Sequence, residues 1–231
     1  MRILALDAST QVASVALMED GRMVYEANLV SGLTHSERLM PLIDEAFRLT
    51  GWTPASVDVF GAVEGPGSFT GLRIGIATVK GLAQAADRPV TGVGTLDVLA
   101  MNVPFFAGVV VPILDARRGE VYSALVHWHE GKLVRETGDL AIPLAELMEE
   151  VEKRGKDALF LGDGVPVFRE SIRNTLGERA FFAPESHLLQ RASSAAALVW
   201  ERAQAGYVQP AAALTPRYVR ASNAQKAAWL K

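Results

Sequence analysis

The sequence contains no cysteine among its 231 residues. Disulfides, zinc sites with cysteine ligands, iron–sulfur clusters and a thiolate nucleophile are therefore all excluded. The chain also lacks a surplus of positive charge, because its 23 Lys and Arg residues are outnumbered by 26 Asp and Glu residues. This balance disfavours autonomous binding to a polyanion such as a nucleic acid. The composition otherwise matches globular proteins, with 49% apolar and 21% charged residues, so we expect a folded chain.

Long apolar runs are missing as well. The longest uncharged stretch, residues 98–114, is interrupted by Pro104 and Pro112 and is shorter than the ~20 residues that cross a bilayer as a helix. The N-terminal apolar run ends at Asp7, before it could form the apolar part of a secretory signal. We therefore predict a cytoplasmic protein that does not contact membranes.

Two catalytic signatures are absent. The four histidines form neither a His-Glu-x-x-His nor a His-x-x-x-His pattern, and the chain has no Gly-x-Ser-x-Gly elbow. The sequence thus predicts no metal site and gives no support to a serine hydrolase.

What the sequence does contain is an alternation of strands and helices that occurs twice. In the first half, the patterns predict strands at residues 3–6, 12–18, 23–30, 57–63 and 90–93 and helices at 36–49, 71–86 and 96–101. In the second half, they predict strands at 109–114, 121–129, 132–136 and 158–161 and helices at 144–154, 167–176 and 194–205. The tripeptide Leu6-Asp7-Ala8 returns as Leu114-Asp115-Ala116, which indicates an internal duplication.

The duplication predicts an α/β protein of two domains, at residues 1–103 and 104–231, each with a mixed β-sheet flanked by helices. We expect the last helix to pack back on the first domain. Because ligand sites in such folds lie at strand ends and domain junctions, Asp7 and Asp115 are predicted on opposite walls of one cleft.

The two aspartates allow two interpretations. A carboxylate at the end of a buried strand must be paired, metal-bound or hydrogen-bonded to turn amides. One interpretation is a magnesium–nucleotide site with one acid per domain and with Ser9 and Thr10 as phosphate-binding hydroxyls. The other is a turn in which each carboxylate accepts hydrogen bonds from nearby backbone N–H groups. The residues alone leave both open.

The glycine-rich loop at residues 65–71 also has two interpretations. It follows a strand and precedes a helix, where backbone N–H groups and the helix dipole bind anions. However, Leu72-Arg73 occupies the place of the Lys-Ser/Thr pair of a P-loop, and Thr70 occupies the place of the third glycine of a dinucleotide motif. A tight turn with Ser68 or Thr70 as helix N-cap explains the loop equally well.

The helices at 36–49 and 71–86 carry more apolar and small residues than one sheet can cover. The residues are Leu39, Leu42, Ile43, Ala46 and Phe47 on the first helix and Gly71, Leu72, Gly75, Ile76 and Val79 on the second. Packing of the two helices on each other and on the sheet accounts for part of this surface. The remainder predicts a four-helix interface with a partner, to which we also assign His35.

Several segments together resemble a known family. They are ILALDAST at residues 3–10, GPGSFTGLRIG at 65–75, DARRGEVY at 115–122, GDG at 162–164 and PRY at 216–218. In order and spacing they resemble the bacterial TsaB family, also called YeaZ, over essentially the full length of the chain.

The resemblance implies an ASKHA (actin/Hsp70/sugar kinase) fold of two RNase-H-like domains. It further implies a non-catalytic subunit of the machinery that installs threonylcarbamoyl on N6 of adenosine 37 in tRNAs reading ANN codons. The implied partners are a TsaD-like catalytic paralog, bound through the first-domain helices, and a TsaE-like ATPase. The resemblance also implies a homodimer when the chain is alone, and contact with tRNA only through the complex.

The resemblance also implies a nucleotide cleft that has degenerated. The corresponding residues are Asp7, Ser9, Gly65, Gly67, Ser68, Asp115, Arg117, Gly162 and Gly164. No cofactor of its own is expected, and ATP or magnesium would act at most weakly or indirectly in the complex. The alternatives are an ATP-dependent phosphotransferase of the same superfold, using Asp7 and Asp115, and a metallopeptidase.

Overall fold

Two β-sheets with helices packed against them make up the structure, a computed structural model that describes residues 1–31 and 34–219. The first sheet contains β1 (Arg2–Asp7), β2 (Val12–Glu19), β3 (Arg22–Val30), β4 (Val59–Gly65) and β5 (Val90–Gly94), in the order β3-β2-β1-β4-β5. Strands β1 to β3 form an antiparallel meander, while β4 and β5 run parallel to β1. The helices of this half are α1 (His35–Thr50), α2 (Phe69–Ala86) and α3 (Thr95–Ala100).

The second sheet repeats this order. Its strands are β6 (Val109–Asp115), β7 (Glu120–Ser123), β8 (Val126–His129), β9 (Lys132–Arg135), β10 (Leu140–Pro143), β11 (Ala158–Leu161) and β12 (Ala180–Phe182). The order is β10-β7-β6-β11-β12, and β8 pairs with β6 and with β9. The helices that follow are α4 (Leu144–Glu152), α5 (Val165–Leu176), α6 (Glu185–Leu188) and α7 (Ala192–Gln204). The predicted duplication is therefore confirmed by the strand order.

The second half departs from the predicted meander at its third strand. The predicted strand at 121–129 is interrupted between β7 and β8, where Leu125 N donates to Thr137 Oγ1 and Leu125 O accepts from Glu136 N, and β8 then pairs with β6 again at Val126. Within the described residues, the segment predicted at 132–136 pairs as β9 with β8 alone, and β10 takes the place beside β7 that β3 has beside β2 in the first sheet. The short elements β10, β12 and α6 were not predicted, since three or four residues carry too little periodicity.

The first sheet is covered on both faces. Leu4 and Leu6 of β1 belong to the core formed with α1 and α2, while Ile3 and Ala5 belong to the core formed with α7. This alternation follows from the two-residue period of a strand. Gly61 of β4 leaves the space that the Val199 side chain of α7 occupies. Helix α7 thus follows the second sheet in the chain but packs on the first.

Two side chains of β3 hold the beginning of α7. Asn28 Oδ1 accepts a hydrogen bond from Ala192 N at 2.9 Å, and Glu26 Oε1 accepts one from Ser193 N at 3.0 Å. These acceptors satisfy backbone N–H groups that a helix start leaves without intrahelical partners. After α7, the chain runs along β5, where Gln209 pairs with Val90.

Candidate functional site

A cleft of about 730 Å³ lies where β1 and β6 end. Its lining residues are Ser9, Thr10, Gln11, Gly67, Ser68, Leu114, Asp115, Ala116, Arg117, Tyr122, Asp163, Pro166 and Val167. The structure therefore brings together Ser9, Gly67, Ser68, Asp115 and Arg117 of the predicted set. Asp7, Gly65, Gly162 and Gly164 do not line the cleft.

The turn after β1 is built on a buried carboxylate. Asp7 Oδ1 accepts a hydrogen bond from Ser9 N at 2.7 Å, and the side chain is 1% exposed. Burial raises the pKa of Asp7 to about 6, although hydrogen bonding from Ser9 acts in the opposite direction. Asp7 Oδ2 and Ser9 Oγ have no hydrogen-bond partner within residues 1–31 and 34–219. Asp7 thus holds the turn that carries Ser9 into the cleft lining, although Asp7 itself does not line the cleft.

The turn after β6 has the same backbone hydrogen bond in a more open setting. Asp115 Oδ1 accepts from Arg117 N at 2.8 Å, and Asp115 Oδ2 forms an ion pair with the Arg117 guanidinium at 3.2 Å. Asp163 Oδ1 accepts a hydrogen bond from Asp115 N at 3.1 Å. Both aspartates therefore accept the backbone hydrogen bond that the turn interpretation predicts.

Asp163 is a cleft carboxylate that the sequence reasoning did not select. Burial raises its pKa, and the nearby charge of Asp115 adds to that effect, while the hydrogen bond from Asp115 N and the charge of Arg117 oppose it. Its position between Gly162 and Gly164, just before α5, was the available signal. A carboxylate between two glycines at a strand end could have been paired with Asp115 on that ground.

The glycine-rich loop is fixed by contacts with the turn after β1. Ser68 N donates to Ser9 O at 2.6 Å, and Ser68 Oγ accepts from Gly71 N at 3.2 Å as the N-cap of α2. A methyl group at Gly67 would collide with Ser9 O, and one at Gly71 with Ala8 O. The N-cap interpretation of Ser68 is thus realised, and the glycines allow the loop and the helix to approach β1.

The glycines of the other predicted loops have packing roles too. A methyl group at Gly162 would collide with the carbonyl oxygen of Ile113 in β6, and Gly164 N donates to that same oxygen at 3.1 Å. At Gly65, a methyl group would collide with the carbonyl oxygen of Arg217. These three glycines therefore hold segments of the chain against one another beside the cleft.

The acidic residues around the cleft bear on whether it could hold a metal ion. Within the part of the chain that the structure describes, no three His, Cys, Asp or Glu side chains lie close enough to hold a metal ion. Asp115 Oδ2, the carboxylate oxygen that does not accept from Arg117 N, is paired with the guanidinium of Arg117. The described residues of the cleft therefore offer no preassembled set of metal ligands.

The predicted interface residues lie mainly in the core. Eight of the eleven are buried against the first sheet or between the helices, and these are Leu39, Ile43, Ala46, Gly71, Leu72, Gly75, Ile76 and Val79. The three others, His35, Leu42 and Phe47, are half-buried. Most of these residues therefore serve intramolecular packing, because they form the faces of α1 and α2 that cover the first sheet. A partner that binds these helices would have to contact their outer faces.

His35 connects α1 to the cleft. Its Nε2 atom lies 2.7 Å from the carbonyl oxygen of Thr10, and burial lowers its pKa, with a smaller opposing effect of that contact. A neutral ring that donates from Nε2 to the carbonyl oxygen of Thr10 fits both observations.

Among the described residues, none of the helices combines the length and the apolar composition that crossing a membrane requires.

The sequence and the structure are both similar to those of known proteins. A family model described as TsaD, tRNA N6-adenosine threonylcarbamoyltransferase, matches residues 30–228. The tRNA threonylcarbamoyladenosine biosynthesis protein TsaB of Bacillus subtilis is 32% identical over 231 residues, which cover 100% of this chain and 99% of that protein. The structure of YeaZ from Pseudomonas aeruginosa matches with a TM-score of 0.81 and 30% identity, covering 94% of this chain and 99% of that one.

A more distant structure bears on the fold alone. The ethanolamine utilization protein EutJ from Carboxydothermus hydrogenoformans matches with a TM-score of 0.52 at 15% identity, covering 85% of this chain and 89% of that one. Together with the repeated strand order of the two sheets, these matches confirm the predicted α/β fold of ASKHA type.

Proposed function

The chain belongs to the TsaB (YeaZ) family of tRNA threonylcarbamoyladenosine biosynthesis proteins, and from this premise we propose that it is the non-catalytic subunit of a tRNA-modifying assembly. The assembly installs threonylcarbamoyl on N6 of adenosine 37 in tRNAs reading ANN codons. The observation that carries the proposal is the similarity to Bacillus subtilis TsaB over the whole chain. The partners are a TsaD-like catalytic paralog and a TsaE-like ATPase, and the chain contacts tRNA only as part of this complex.

The geometry of the cleft supports a binding role for this chain. Both strand-end aspartates are used to close their own turns, and the outer oxygen of Asp115 is paired with Arg117. These interactions stabilise the loops, and the buried Asp7 keeps one carboxylate oxygen without a partner among residues 1–31 and 34–219. We therefore propose that Asp7, Ser68, Asp115 and Arg117 shape a surface for a partner, and that ATP and magnesium act at most indirectly.

The outer faces of α1 and of α2 from Ala77 onward are the proposed contact with the catalytic paralog, which leaves the N-terminal turn of α2 uncovered. Met40 and Leu49 of α1 are exposed apolar side chains, and Ala77 and Gly81 of α2 are exposed small residues. Small residues allow the backbone of another helix to approach closely. The same face would form the homodimer when the chain is alone, so the two assemblies would compete.

A reconstituted threonylcarbamoylation assay tests the role. It contains TsaC, TsaD, TsaE, threonine, bicarbonate, ATP and tRNA, and it is run with and without this chain. We expect modification to require the chain, and we expect no ATP hydrolysis by the chain alone. Unchanged modification without it would refute the subunit role, and ATP turnover by the lone chain would favour the phosphotransferase.

Two outward substitutions test the proposed contact. Met40→Glu and Ala77→Arg place a charge or bulk on the outer faces of α1 and α2, and we expect each to abolish co-elution with the catalytic paralog. Val134→Glu, at an exposed position on β9 away from the cleft, is the matched control and should leave the complex intact. Folded variants that still co-elute would show that the partner binds elsewhere.

A further inference from the structure

Two segments that are 145 residues apart in sequence meet in an exposed cluster beside the cleft. The rings of Phe69 and Tyr218 stack with centroids 5.2 Å apart and an interplanar angle of 26°. The guanidinium carbon of Arg73 lies 3.9 Å from the centroid of Phe69, and Arg73 Nε donates to Tyr218 Oη at 3.0 Å. We call these three residues the aromatic cluster.

The aromatic cluster is exposed although it is well ordered by its surroundings. Phe69 is 43% exposed and Tyr218 is 41% exposed. The backbone that carries Tyr218 is fixed, because Arg217 N donates to Glu64 O at 2.7 Å and Arg217 Nη2 donates to Gly65 O at 3.1 Å. The rings are therefore held in place at the surface, and a ligand that stacked on them would not have to immobilise them first.

The aromatic cluster begins directly after Ser68 on one wall of the cleft, and Arg117 lies on the turn after β6, which forms another wall. Phe69 directly follows Ser68, which lines the cleft together with Arg117. The side chain of Arg117 is 85% exposed even though it pairs with Asp115, and its neighbour Arg118 is exposed as well. Both arginines adopt a left-handed backbone, with φ of 68° and 58°. Stacked rings with Arg73 beside them, together with exposed guanidinium groups on the turn across the cleft, are suited to an extended ligand that combines aromatic faces with negative charge.

We propose that the aromatic cluster and the arginines at 117 and 118 form a contact for single-stranded RNA. An unpaired base stacks on the rings of Phe69 and Tyr218, and the guanidinium groups of Arg73, Arg117 and Arg118 contact the phosphates. Base stacking on aromatic side chains with arginines along the backbone is how proteins hold unpaired nucleotides. The inference rests on the proposed function, because that assembly is what brings a tRNA to this chain.

The test measures tRNA affinity of the reconstituted assembly with variants of this chain. We expect Phe69→Ala and Tyr218→Ala each to weaken tRNA binding by about 5- to 100-fold, the range for one stacked base. Tyr218→Phe keeps the ring and should retain most of the affinity. Arg118→Gln should reduce the slope of log affinity against log salt by about one, as expected for one lost phosphate contact.

Matched controls lie elsewhere on the surface. Phe181→Ala removes a ring that is also 43% exposed, and Tyr207→Ala removes an exposed ring that lies beneath Arg202. Neither control should change tRNA affinity. Complex assembly is measured in parallel by co-elution, and ATP binding to the chain alone is measured by calorimetry.

Each outcome decides the inference. Full tRNA affinity in an intact complex carrying Phe69→Ala and Tyr218→Ala would overturn it. Loss of the complex itself would overturn it in favour of a protein contact, and ATP binding that disappears with Phe69→Ala would overturn it in favour of a free nucleotide. If the chain proves dispensable for modification, the proposed function fails. If the chain is required but these variants bind tRNA normally, only the RNA contact fails.

Discussion

The turns after β1 and β6 have the same backbone hydrogen bond and very different surroundings. In each turn, the strand-end aspartate accepts from the backbone amide two residues later, at 2.7 Å for Asp7 and 2.8 Å for Asp115. Asp7 is buried and one of its oxygens has no partner in the described part of the chain. The outer oxygen of Asp115 instead pairs with the exposed guanidinium of Arg117.

The difference arises from what covers each turn. The first turn is enclosed by the glycine-rich loop and by the segment before α7, since Thr10 Oγ1 donates to Gln190 Oε1 at 2.9 Å. The second turn opens to the cleft. The same local sequence, Leu-Asp-Ala, thus gives the same hydrogen bond in both halves, whereas its tertiary surroundings decide whether the carboxylate is solvated.

The largest expected effect concerns the glycine that brings α2 against the first turn. In Gly71→Ala, the added methyl group would collide with the carbonyl oxygen of Ala8, which cannot move without displacing β1. We expect a loss of roughly 3 kcal/mol in the free energy of unfolding, the upper part of the range for overpacking. Urea unfolding followed by tryptophan fluorescence measures it.

The same helix provides the matched control. Among the described residues, a methyl group at Gly81 meets nothing within 4 Å, so Gly81→Ala should stabilise α2 by about 0.5–1 kcal/mol. In the second half, Gly162→Ala should destabilise by a similar amount, because a φ of 108° adds backbone strain to the collision with the carbonyl oxygen of Ile113. Equal stability of Gly71→Ala and Gly81→Ala would show that the contact with the first turn is not tight.

The second prediction concerns the buried charge of the first turn. Asp7→Asn keeps an oxygen that accepts from Ser9 N and removes the charge. Because the pKa of Asp7 rises from 3.8 to about 6, ionisation of the folded protein at neutral pH costs on the order of 3 kcal/mol. An amide N–H without a partner offsets about 1–2 kcal/mol of this gain. We expect Asp7→Asn to be about 1–2 kcal/mol more stable than the parent chain at pH 7.5.

The pH dependence gives the sharper measurement. The folded chain binds the Asp7 proton more tightly than the unfolded chain does, so the contribution of Asp7 to stability falls as pH rises from about 4 to about 6. The advantage of Asp7→Asn should therefore grow through this window and stay constant above it. An advantage that does not change between pH 4 and pH 7.5 would contradict the buried charge.

The third prediction concerns the link between the first sheet and α7. Glu26→Gln weakens the acceptor for Ser193 N and Oγ and removes the ion pair with Arg191, so we expect a loss of about 1 kcal/mol. Burial acts to raise the pKa of Glu26, but hydrogen bonds from Asn28 and Ser193 and the Arg191 charge together lower it. The stabilisation is therefore present above the ordinary carboxylate pKa and is lost as pH falls through the lowered value.

A matched control separates the cap from a general effect of charge. Glu19→Gln, which removes the partly exposed ion pair of Arg2 at the end of β2, should change stability by less than about 0.5 kcal/mol. If Glu26→Gln is no more destabilising than Glu19→Gln, the contact with α7 contributes little.

Much of the fold could be predicted because its pattern is local. The strand and helix positions of the first half follow from periodicity, and the duplication follows from the returning Leu-Asp-Ala and from the order of elements. The place of β10 could not be predicted, because its pairing with β7 depends on where the chain turns at Leu125 and Thr137. That turn is set by side-chain and backbone contacts twelve residues apart.

The candidate site was predictable in part for the same reason. Ser9, Ser68 and Asp115 follow strands or begin a helix, positions that sequence patterns reveal. The apolar residues of α1 and α2 could not be divided between the sheet and a partner, because the sequence does not show how much of an apolar helix face the sheet covers. The stacking of Phe69 on Tyr218 could not be predicted, since nothing local links two residues so far apart in the chain.

The smallest expected effect belongs to the second turn. Asp115→Asn keeps the oxygen that accepts from Arg117 N and removes only an ion pair with a largely exposed guanidinium, so stability should change by less than about 0.5 kcal/mol. A change in the titration of Asp163 should nevertheless be visible, because the charge of Asp115 contributes to its raised pKa. In Asp115→Asn, carboxyl NMR should find the pKa of Asp163 lower than in the parent chain. An unchanged Asp163 titration would mean that the two cleft carboxylates do not interact, and the second turn would then differ from the first in its solvation alone.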